Sequence, residues 1–241
     1  MRIGIVQVKP VKGDIEHNIK NHKEWISKGI EKDVDLIVFP ELSLTGYEPE
    51  LAEELATNQD DKRFNDLQTL SDCNGITIAV GLPTREGKDV FVSMIIFQPE
   101  KKRTTYSKQY LFPTETSFFT AAKNPLTLNF ETEVVAPAIC YELSNKEHVE
   151  YAVKNNASIY LASVLNSIGG VDADLEKLSD IAQNHNMTAF MANYVGQSGG
   201  YDCAGKSSIW NNKGELIGQL DGLNEGLLIY DTSTEEMIHL D

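Results

Sequence analysis

Hydrophobic and polar residues alternate along the chain with two different periods. Residues 2–8 form a short β-rich run in which apolar and polar side chains alternate, whereas residues 14–32 repeat apolar side chains such as Ile15, Ile19 and Ile26 at helical spacing. The strand-then-helix rhythm recurs along the chain. It predicts further strands at residues 35–39, 76–82, 90–97, 103–108, 134–140, 158–165 and 188–195, and helices at residues 61–73, 145–155 and 173–185.

Two parts of the pattern depart from this rhythm. The predicted strands at 90–97 and 103–108 are separated by a short polar segment, which indicates an antiparallel pair. Residues 206–210, 215–220 and 226–231 predict an antiparallel ending, with a turn at residues 211–214. This mixture is typical of a layered sandwich rather than of a simple doubly wound sheet. Because no linker or repeat divides the pattern, we expect one α/β domain over residues 1–241.

The composition is that of a globular protein with an acidic surface. Hydrophobic residues make up 41% and charged residues 24%, and 21 Lys+Arg against 36 Asp+Glu give a net charge of −15. A surface of this charge repels phosphate groups, so nucleic-acid binding is not expected. No apolar run is long enough to cross a bilayer, and the first residues do not form a signal peptide. We therefore expect a cytoplasmic protein without membrane contacts.

Cysteine and aspartate spacing argues against disulfides and metal sites. Cys73, Cys140 and Cys203 are odd in number and widely spaced, which fits neither a disulfide framework nor a CxxC metal site. Asp172 and Asp174 lack the glycine and distal glutamate of a calcium-binding EF-hand, so they are better interpreted as acids at a helix N-terminus. We predict no metal site and no cofactor.

Three polar or reactive residues stand near the ends of predicted strands. Glu41 follows the strand at 35–39, Lys108 closes the strand at 103–108, and Cys140 ends the strand at 134–140. Loops at strand ends often hold catalytic groups over a rigid scaffold. Each residue taken singly also has an ordinary interpretation, because glutamate and lysine are usually solvated and free cysteine is often an inert core residue.

Together, these three residues supply the parts of a nucleophilic acyl-transfer site. A thiol is mostly protonated at neutral pH, so it needs a nearby base or cation to react. Glu41 can accept the thiol proton and Lys108 can stabilise negative charge. None of the five histidines has an evident cysteine partner, so a Cys/His protease is the weaker hypothesis.

A serine hydrolase is a second hypothesis. Residues 196–200 match the G-x-S-x-G nucleophile elbow around Ser198, and an apolar strand precedes them. An elbow leads into a helix, whereas residues 201–205 are predicted to be a loop and residues 206–210 a strand. A glycine-rich connecting loop is therefore the preferred interpretation.

The sequence resembles the nitrilase, or carbon–nitrogen hydrolase, superfamily over nearly its whole length. The segments that carry the resemblance are IGIVQ at 3–7, FPEL at 39–42, TGY at 45–47, YSKQYLF at 106–112, ICYE at 139–142, ANYVG at 192–196 and GKSSI at 205–209. The resemblance implies an α-β-β-α sandwich and assembly into homodimers or larger homo-oligomers.

It also implies roles for individual residues. Cys140 corresponds to the nucleophile, Glu41 to the general base and acid, and Lys108 to the cation that faces the tetrahedral oxyanion. The backbone N–H of Tyr141 is expected to join Lys108 in stabilising that oxyanion. Glu115 stands where relatives carry a second glutamate that helps to position the site.

The implied reaction is hydrolysis of a non-peptide C–N bond of a small amide through a thioester, which releases ammonia or an amine and needs no cofactor. Nitrilase, N-carbamoyl hydrolase and acyltransferase activities use the same three residues. A catalytically silent binding module that keeps the fold is an alternative of a different class. Tyr47, Phe112 and Asn166 lie near the motif segments, and we expect them to line the substrate pocket.

One segment departs from the superfamily pattern. Many relatives follow the Cys-Tyr-Asp/Glu segment with an arginine and a Phe-Pro-Glu stretch, whereas here Leu143 leads into Ser144 and Asn145. The residues after Cys140 therefore do not provide the arginine that would bind a carboxylate substrate.

Overall fold

The computed structural model describes residues 1–241 and contains two large sheets, a small hairpin and five α-helices. The helices are α1 (Ile15–Ile30), α2 (Ala52–Leu55), α3 (Asn65–Asn74), α4 (Lys146–Lys154) and α5 (Val171–His185). The strands are β1 (Arg2–Gln7), β2 (Leu36–Val38), β3 (Thr77–Glu86), β4 (Asp89–Phe97), β5 (Thr104–Ser107), β6 (Leu128–Asn129), β7 (Val134–Ile139), β8 (Ile159–Ser163), β9 (Thr188–Ala192), β10 (Val195–Ser198), β11 (Tyr201–Ala204), β12 (Ser208–Trp210), β13 (Leu216–Gln219), β14 (Gly226–Asp231) and β15 (Met237–Leu240).

The first sheet has seven strands in the order β15-β14-β1-β2-β3-β4-β5. Its three central strands β1, β2 and β3 are parallel, and all other neighbouring pairs are antiparallel. Helix α1 crosses from β1 to β2. Its N-cap is Asp14, whose side chain accepts the N–H of His17 at 3.0 Å, and the helix buries Ile15, Ile19 and Ile26 against the sheet.

The second sheet has six strands in the order β13-β12-β9-β8-β7-β6, with β7, β8 and β9 parallel. Side chains on β7 divide between its two faces. Val135 and Ile139 join the large core shared with the first sheet, whereas Ala136 and Ala138 pack in a second core against α4 and α5. The molecule is therefore layered α-β-β-α, and the α/β sandwich expected from the sequence is confirmed.

The structure corrects several local predictions. Residues 201–204 form strand β11 and pair with β10, so the loop predicted at 201–205 is wrong. The predicted antiparallel ending divides between the sheets, because β13 pairs with β12 whereas β14 inserts between β1 and β15 of the other sheet. Strand β14 is buried at every position, as a strand covered on both faces must be. The short elements α2, β6 and β15 were not predicted.

Two further properties concern membranes and metals. No helix combines the length and apolar composition required to cross a membrane. No group of three or more histidine, cysteine, aspartate or glutamate side chains is placed to hold a metal ion.

Candidate active site

Glu41 lies in a tight turn that follows β2 and packs directly on β3. A Cβ atom on Gly81 would stand 2.3 Å from the backbone nitrogen of Leu42 and 2.6 Å from the carbonyl oxygen of Pro40, so only glycine permits this approach. Leu42 has a positive φ of 53°, and the Tyr194 hydroxyl donates to the Glu41 carbonyl oxygen. The Glu41 side chain is held in the interior, with none of it exposed.

Lys108 bridges two glutamates in the interior. Its Nζ donates to Glu41 Oε1 at 2.7 Å and to Glu115 Oε1 at 2.8 Å, and its side chain has no exposed surface. Glu115 also accepts the Tyr47 hydroxyl at 2.8 Å and the Phe112 backbone N–H at 2.7 Å. An ammonium has three donors, so one N–H of Lys108 stays available beyond these two bonds.

Cys140 stands where β7 ends and a 3₁₀-helix, Cys140–Ser144, begins. Its φ of 45° lies in the left-handed region, which non-glycine residues seldom adopt and which is enriched at functional sites. The residue is half-buried, and its Sγ lies 3.8 Å from the Leu165 carbonyl oxygen. The strained turn therefore presents the sulfur at the end of the sheet.

A single cavity of about 320 Å³ joins these segments. It is lined by Glu41, Tyr47, Phe112, Glu115, Cys140, Tyr141, Ser144, Leu165, Asn166, Ser167, Gly170, Ala173, Asp174, Lys177 and Tyr201. Every predicted site residue lines this cavity except Lys108, whose Nζ contacts both Glu41 and Glu115. A volume of this size suits a small molecule.

Burial and charge set the protonation of the central groups. Burial raises the pKa of Glu41 to about 7, although the positive charge of Lys108 acts in the opposite direction. Burial acts to lower the pKa of Lys108, but the carboxylates of Glu41 and Glu115 outweigh it, so the pKa is raised and the amine stays charged. Burial also raises the pKa of Cys140 well above its usual range. The resting thiol therefore carries its proton.

Glu142 forms a second buried cluster, whose members do not line the cavity. Its Oε1 accepts the N–H of Gln109 at 2.6 Å, and its Oε2 accepts the N–H of Ile139 and the Tyr106 hydroxyl, each at 2.7 Å. The Tyr106 hydroxyl also lies 2.9 Å from Nε2 of His148. Burial lowers the pKa of His148 to about 4, so this imidazole is neutral at physiological pH.

The sequence did not single out Glu142 or the outer lining of the cavity. A partial signal existed, because Glu115 and Glu142 each stand three residues after a residue whose N–H they accept at the start of a 3₁₀-helix. The sequence marked Asp174 only as an acid at a helix N-terminus, and no local signal marks Lys177. Both residues reach the cavity through the packing of α5.

Ser198 is not placed as a nucleophile. It ends β10 and leads into the turn to β11 rather than into a helix, and its Oγ accepts the backbone N–H of Tyr47 at 2.9 Å. Ser198 does not line the cavity. Ser198 therefore has a structural role, because its hydrogen bond holds the segment that carries Tyr47.

Comparison with known proteins places the chain in a family. The family model "Carbon-nitrogen hydrolase" matches residues 2–240. A "Hydrolase in agr operon" of Staphylococcus aureus is 26% identical over 228 residues, covering 92% of this chain and 87% of that protein. An "(R)-stereoselective amidase" of Pseudomonas sp. is 25% identical over 199 residues, covering 81% of this chain and 72% of that protein.

Solved structures show the same fold. The amidase from Nesterenkonia sp. AN1 superposes with a TM-score of 0.87 at 24% identity, covering 96% of this chain and 92% of that chain. Other structures of that amidase contain butyramide in a cysteine-to-alanine mutant, and the acetamide moiety of fluoroacetamide added to the active-site cysteine of a second mutant. On the family match and this fold, the chain belongs to the carbon–nitrogen hydrolase family and is an amidase-like enzyme.

Proposed function

We propose that the protein hydrolyses the C–N bond of a small amide through a thioester at Cys140. The observation that carries the proposal is the state of Glu41. Its Oε1 is held by Lys108, whereas its Oε2 is buried without a hydrogen-bond partner in the cavity that Cys140 lines. An unsatisfied buried carboxylate oxygen is costly, and a proton to accept would satisfy it.

In the acylation step, Glu41 takes the proton from the Cys140 thiol while the sulfur bonds to the amide carbon. The carbonyl oxygen gains the negative charge. The free N–H of Lys108 and the backbone N–H of Tyr141 would stabilise this oxyanion, since the first N–H groups of a helix have no partner within it. The C–N bond then breaks, and the leaving nitrogen takes the proton from Glu41 and departs as ammonia or an amine.

In the deacylation step, Glu41 accepts a proton from water and the resulting hydroxide adds to the thioester carbon. Collapse of this second tetrahedral intermediate breaks the C–S bond. The sulfur recovers its proton from Glu41, and the carboxylic acid is released. Lys108 remains charged throughout because the adjacent carboxylates raise its pKa. Glu115 acts as a positioning residue, because its Oε1 accepts hydrogen bonds from both the Lys108 ammonium and the Tyr47 hydroxyl.

The decisive experiment measures ammonia release from aliphatic amides, ureido acids and nitriles, together with the intact mass of the protein. We expect turnover of small aliphatic amides, by analogy with the butyramide-bound amidase, and a mass increase equal to the acyl group. Cys140→Ala and Cys140→Ser should abolish turnover with the fold intact, since a hydroxyl is a far poorer nucleophile without a matched base. Full activity in Cys140→Ala would refute the mechanism.

Fluoroacetamide provides a direct probe of the sulfur. Peptide mapping after treatment should find the acetamide adduct on Cys140. Cys73, which is exposed, serves as an internal control for simple accessibility, and Cys203 serves as the control for a buried thiol. Labelling of Cys73 in preference to Cys140 would contradict an activated thiol.

The alternative activities separate on the same panel. Release of ammonia from nitriles or from ureido acids in preference to amides would indicate a nitrilase or an N-carbamoyl hydrolase, and transfer of the acyl group to an added amine would indicate an acyltransferase. No turnover and no adduct would favour a silent binding module. Homo-oligomeric assembly and a cytoplasmic location stay predictions, which light scattering and cell fractionation test.

A further inference from the structure

The outer part of the cavity carries an ion pair that the reaction above does not use. Lys177 Nζ lies 2.9 Å from Asp174 Oδ1, and both residues stand on α5. Lys177 also donates to Ser144 Oγ at 2.8 Å. The Lys177 side chain is 43% exposed and that of Asp174 is 17% exposed. Lys177 is therefore held by both Asp174 and Ser144, and the ion pair is still accessible to a molecule that enters the cavity.

Ser144 and Cys140 are close in the chain and line the same cavity. Ser144 is the last residue of the 3₁₀-helix that begins at Cys140, and both residues line the cavity of about 320 Å³. A substrate whose amide lies at Cys140 and whose other polar end lies at Ser144 and Lys177 is therefore a short molecule.

We propose that Asp174, Lys177 and Ser144 form a subsite for the zwitterionic end of the substrate, so that the enzyme acts on the side-chain amide of an α-amino acid. This rests on the proposed function, because the amide must be the group that Cys140 attacks. The ammonium of the substrate binds Asp174, and its carboxylate binds Lys177 and Ser144. The aromatic rings of Tyr141 and Phe112, which pack edge to face, lie beside the connecting carbons.

Electrostatics favours a zwitterion over an end group with one charge. Asp174 Oδ1 lies 2.9 Å from the Lys177 ammonium, so a substrate carboxylate without an ammonium that binds Lys177 would be repelled by the Asp174 carboxylate. In the same way, a substrate ammonium without a carboxylate that binds Asp174 would be repelled by the Lys177 ammonium. A zwitterion replaces the internal ion pair by two new pairs and leaves no charge unpaired. An uncharged end group gains neither contact. The pair therefore selects for both charges together.

The subsite includes the position at which the sequence departs from the superfamily pattern. Ser144 stands two residues after the Cys-Tyr-Glu motif, where the sequence lacks the arginine present in many relatives. Lys177 places its ammonium on the Ser144 hydroxyl, so α5 supplies a cation to that part of the cavity. Unlike an arginine alone, this cation is accompanied by Asp174.

The test compares four amides of similar length: butyramide, 4-aminobutyramide, glutaric acid monoamide and glutamine. We expect kcat/KM for glutamine, in one or both enantiomers, to exceed that for each of the other three by at least tenfold. Equal values for the four amides would overturn the subsite while leaving amide hydrolysis intact. Turnover of none of them would count against the proposed function.

Variants then assign the preference to the pair. Lys177→Met and Asp174→Asn should each reduce the ratio of kcat/KM for glutamine to that for butyramide by at least tenfold. Lys146→Met is the matched control, because Lys146 forms an exposed ion pair with Glu150 at 3.1 Å on α4, outside the cavity. An unchanged ratio in both α5 variants would overturn the proposal.

Binding provides a readout that does not depend on turnover. Calorimetry on the Cys140→Ala protein should detect glutamine binding at least tenfold tighter than butyramide binding, and adding Lys177→Met should remove that difference. If Cys140→Ala binds both amides equally, the subsite is refuted even if the enzyme hydrolyses glutamine.

Discussion

Glu142 accepts the backbone N–H of Gln109 at 2.6 Å, and this bond joins the segment that carries Cys140 to the segment that carries the buried Lys108. Gln109 follows Lys108 in the chain, and Glu142 stands two residues after Cys140. The same carboxylate accepts the N–H of Ile139, which precedes Cys140. One side chain therefore sets how far the sulfur lies from the ammonium, without itself lining the cavity.

Glu142→Gln tests this positioning. An amide cannot accept all three donors that the carboxylate receives, so the variant should displace the segments of Cys140 and Lys108. A misplacement of about 1 Å can lower the rate by about a hundredfold, so we expect kcat to fall by about tenfold to a hundredfold. KM should change much less, because Glu142 does not touch the cavity. Tyr106→Phe removes only one of the three donors and should show a smaller fall. A Glu142→Gln enzyme with normal kcat, or one altered only in KM, would contradict the positioning role.

The pH dependence of kcat/KM should follow the protonation of Glu41, the proposed general base. With the pKa of Glu41 raised to about 7, its carboxylate is protonated in acid and cannot take the thiol proton. We expect kcat/KM to rise about tenfold per pH unit up to pH of about 7 and to level off above it.

A second carboxyl titrates in the same range and needs a control, because burial also raises the pKa of Glu142 to about 7. Glu142→Gln should keep the rise with pH at a lower rate, whereas Glu41→Gln should lose turnover at every pH. Loss of the pH dependence in Glu142→Gln would show that Glu142, rather than Glu41, is the group whose protonation limits kcat/KM.

Removal of the buried cation should destabilise the protein in a pH-dependent way. Lys108→Met leaves two buried carboxylates without their partner, which costs about 3–5 kcal/mol near neutral pH. Without that positive charge, the pKa of Glu41 rises further above its value in the unfolded chain. Folded-state stability is then greatest in acid and is lost as pH increases.

Urea denaturation at pH 5 and pH 8 measures this dependence. The difference in unfolding free energy between wild type and Lys108→Met should be larger at pH 8. Adding Glu115→Gln to Lys108→Met should recover part of the loss at pH 8, since one charge is removed. The same loss at both pH values would contradict the assigned ion cluster.

Gly81→Ala should displace the turn that holds Glu41. The new Cβ would overlap the backbone of Leu42 and Pro40, and inserting a methyl group into a close-packed contact costs about 1–3 kcal/mol. We expect this loss in urea denaturation, together with a fall in kcat of at least tenfold. Gly169→Ala is the control, because a Cβ there meets nothing within 4 Å and the backbone has no positive φ. Equal stability of the two variants would contradict the close approach.

Local periodicity was sufficient for most of the layered framework. The spacing of Ile15, Ile19 and Ile26 predicted α1, and the apolar runs predicted β1 to β5 and β7 to β9, because burial of one or both faces imposes a repeat that is visible within a few residues. The hairpin β10–β11 was missed. Its glycines favour a loop locally, and its pairing depends on packing against the Tyr47 segment.

The sequence by itself determined most of the strands and helices, and which strand ends carry Glu41, Lys108 and Cys140. Only the tertiary structure decided that Lys108 is buried between Glu41 and Glu115, that Glu142 joins the segments of Cys140 and Lys108, and that Asp174 and Lys177 reach the cavity. The physical reason is the separation along the chain between the interacting residues. Hydrophobic spacing records contacts along one element, whereas the charge, burial and pKa of these groups depend on neighbours that lie far away in the chain.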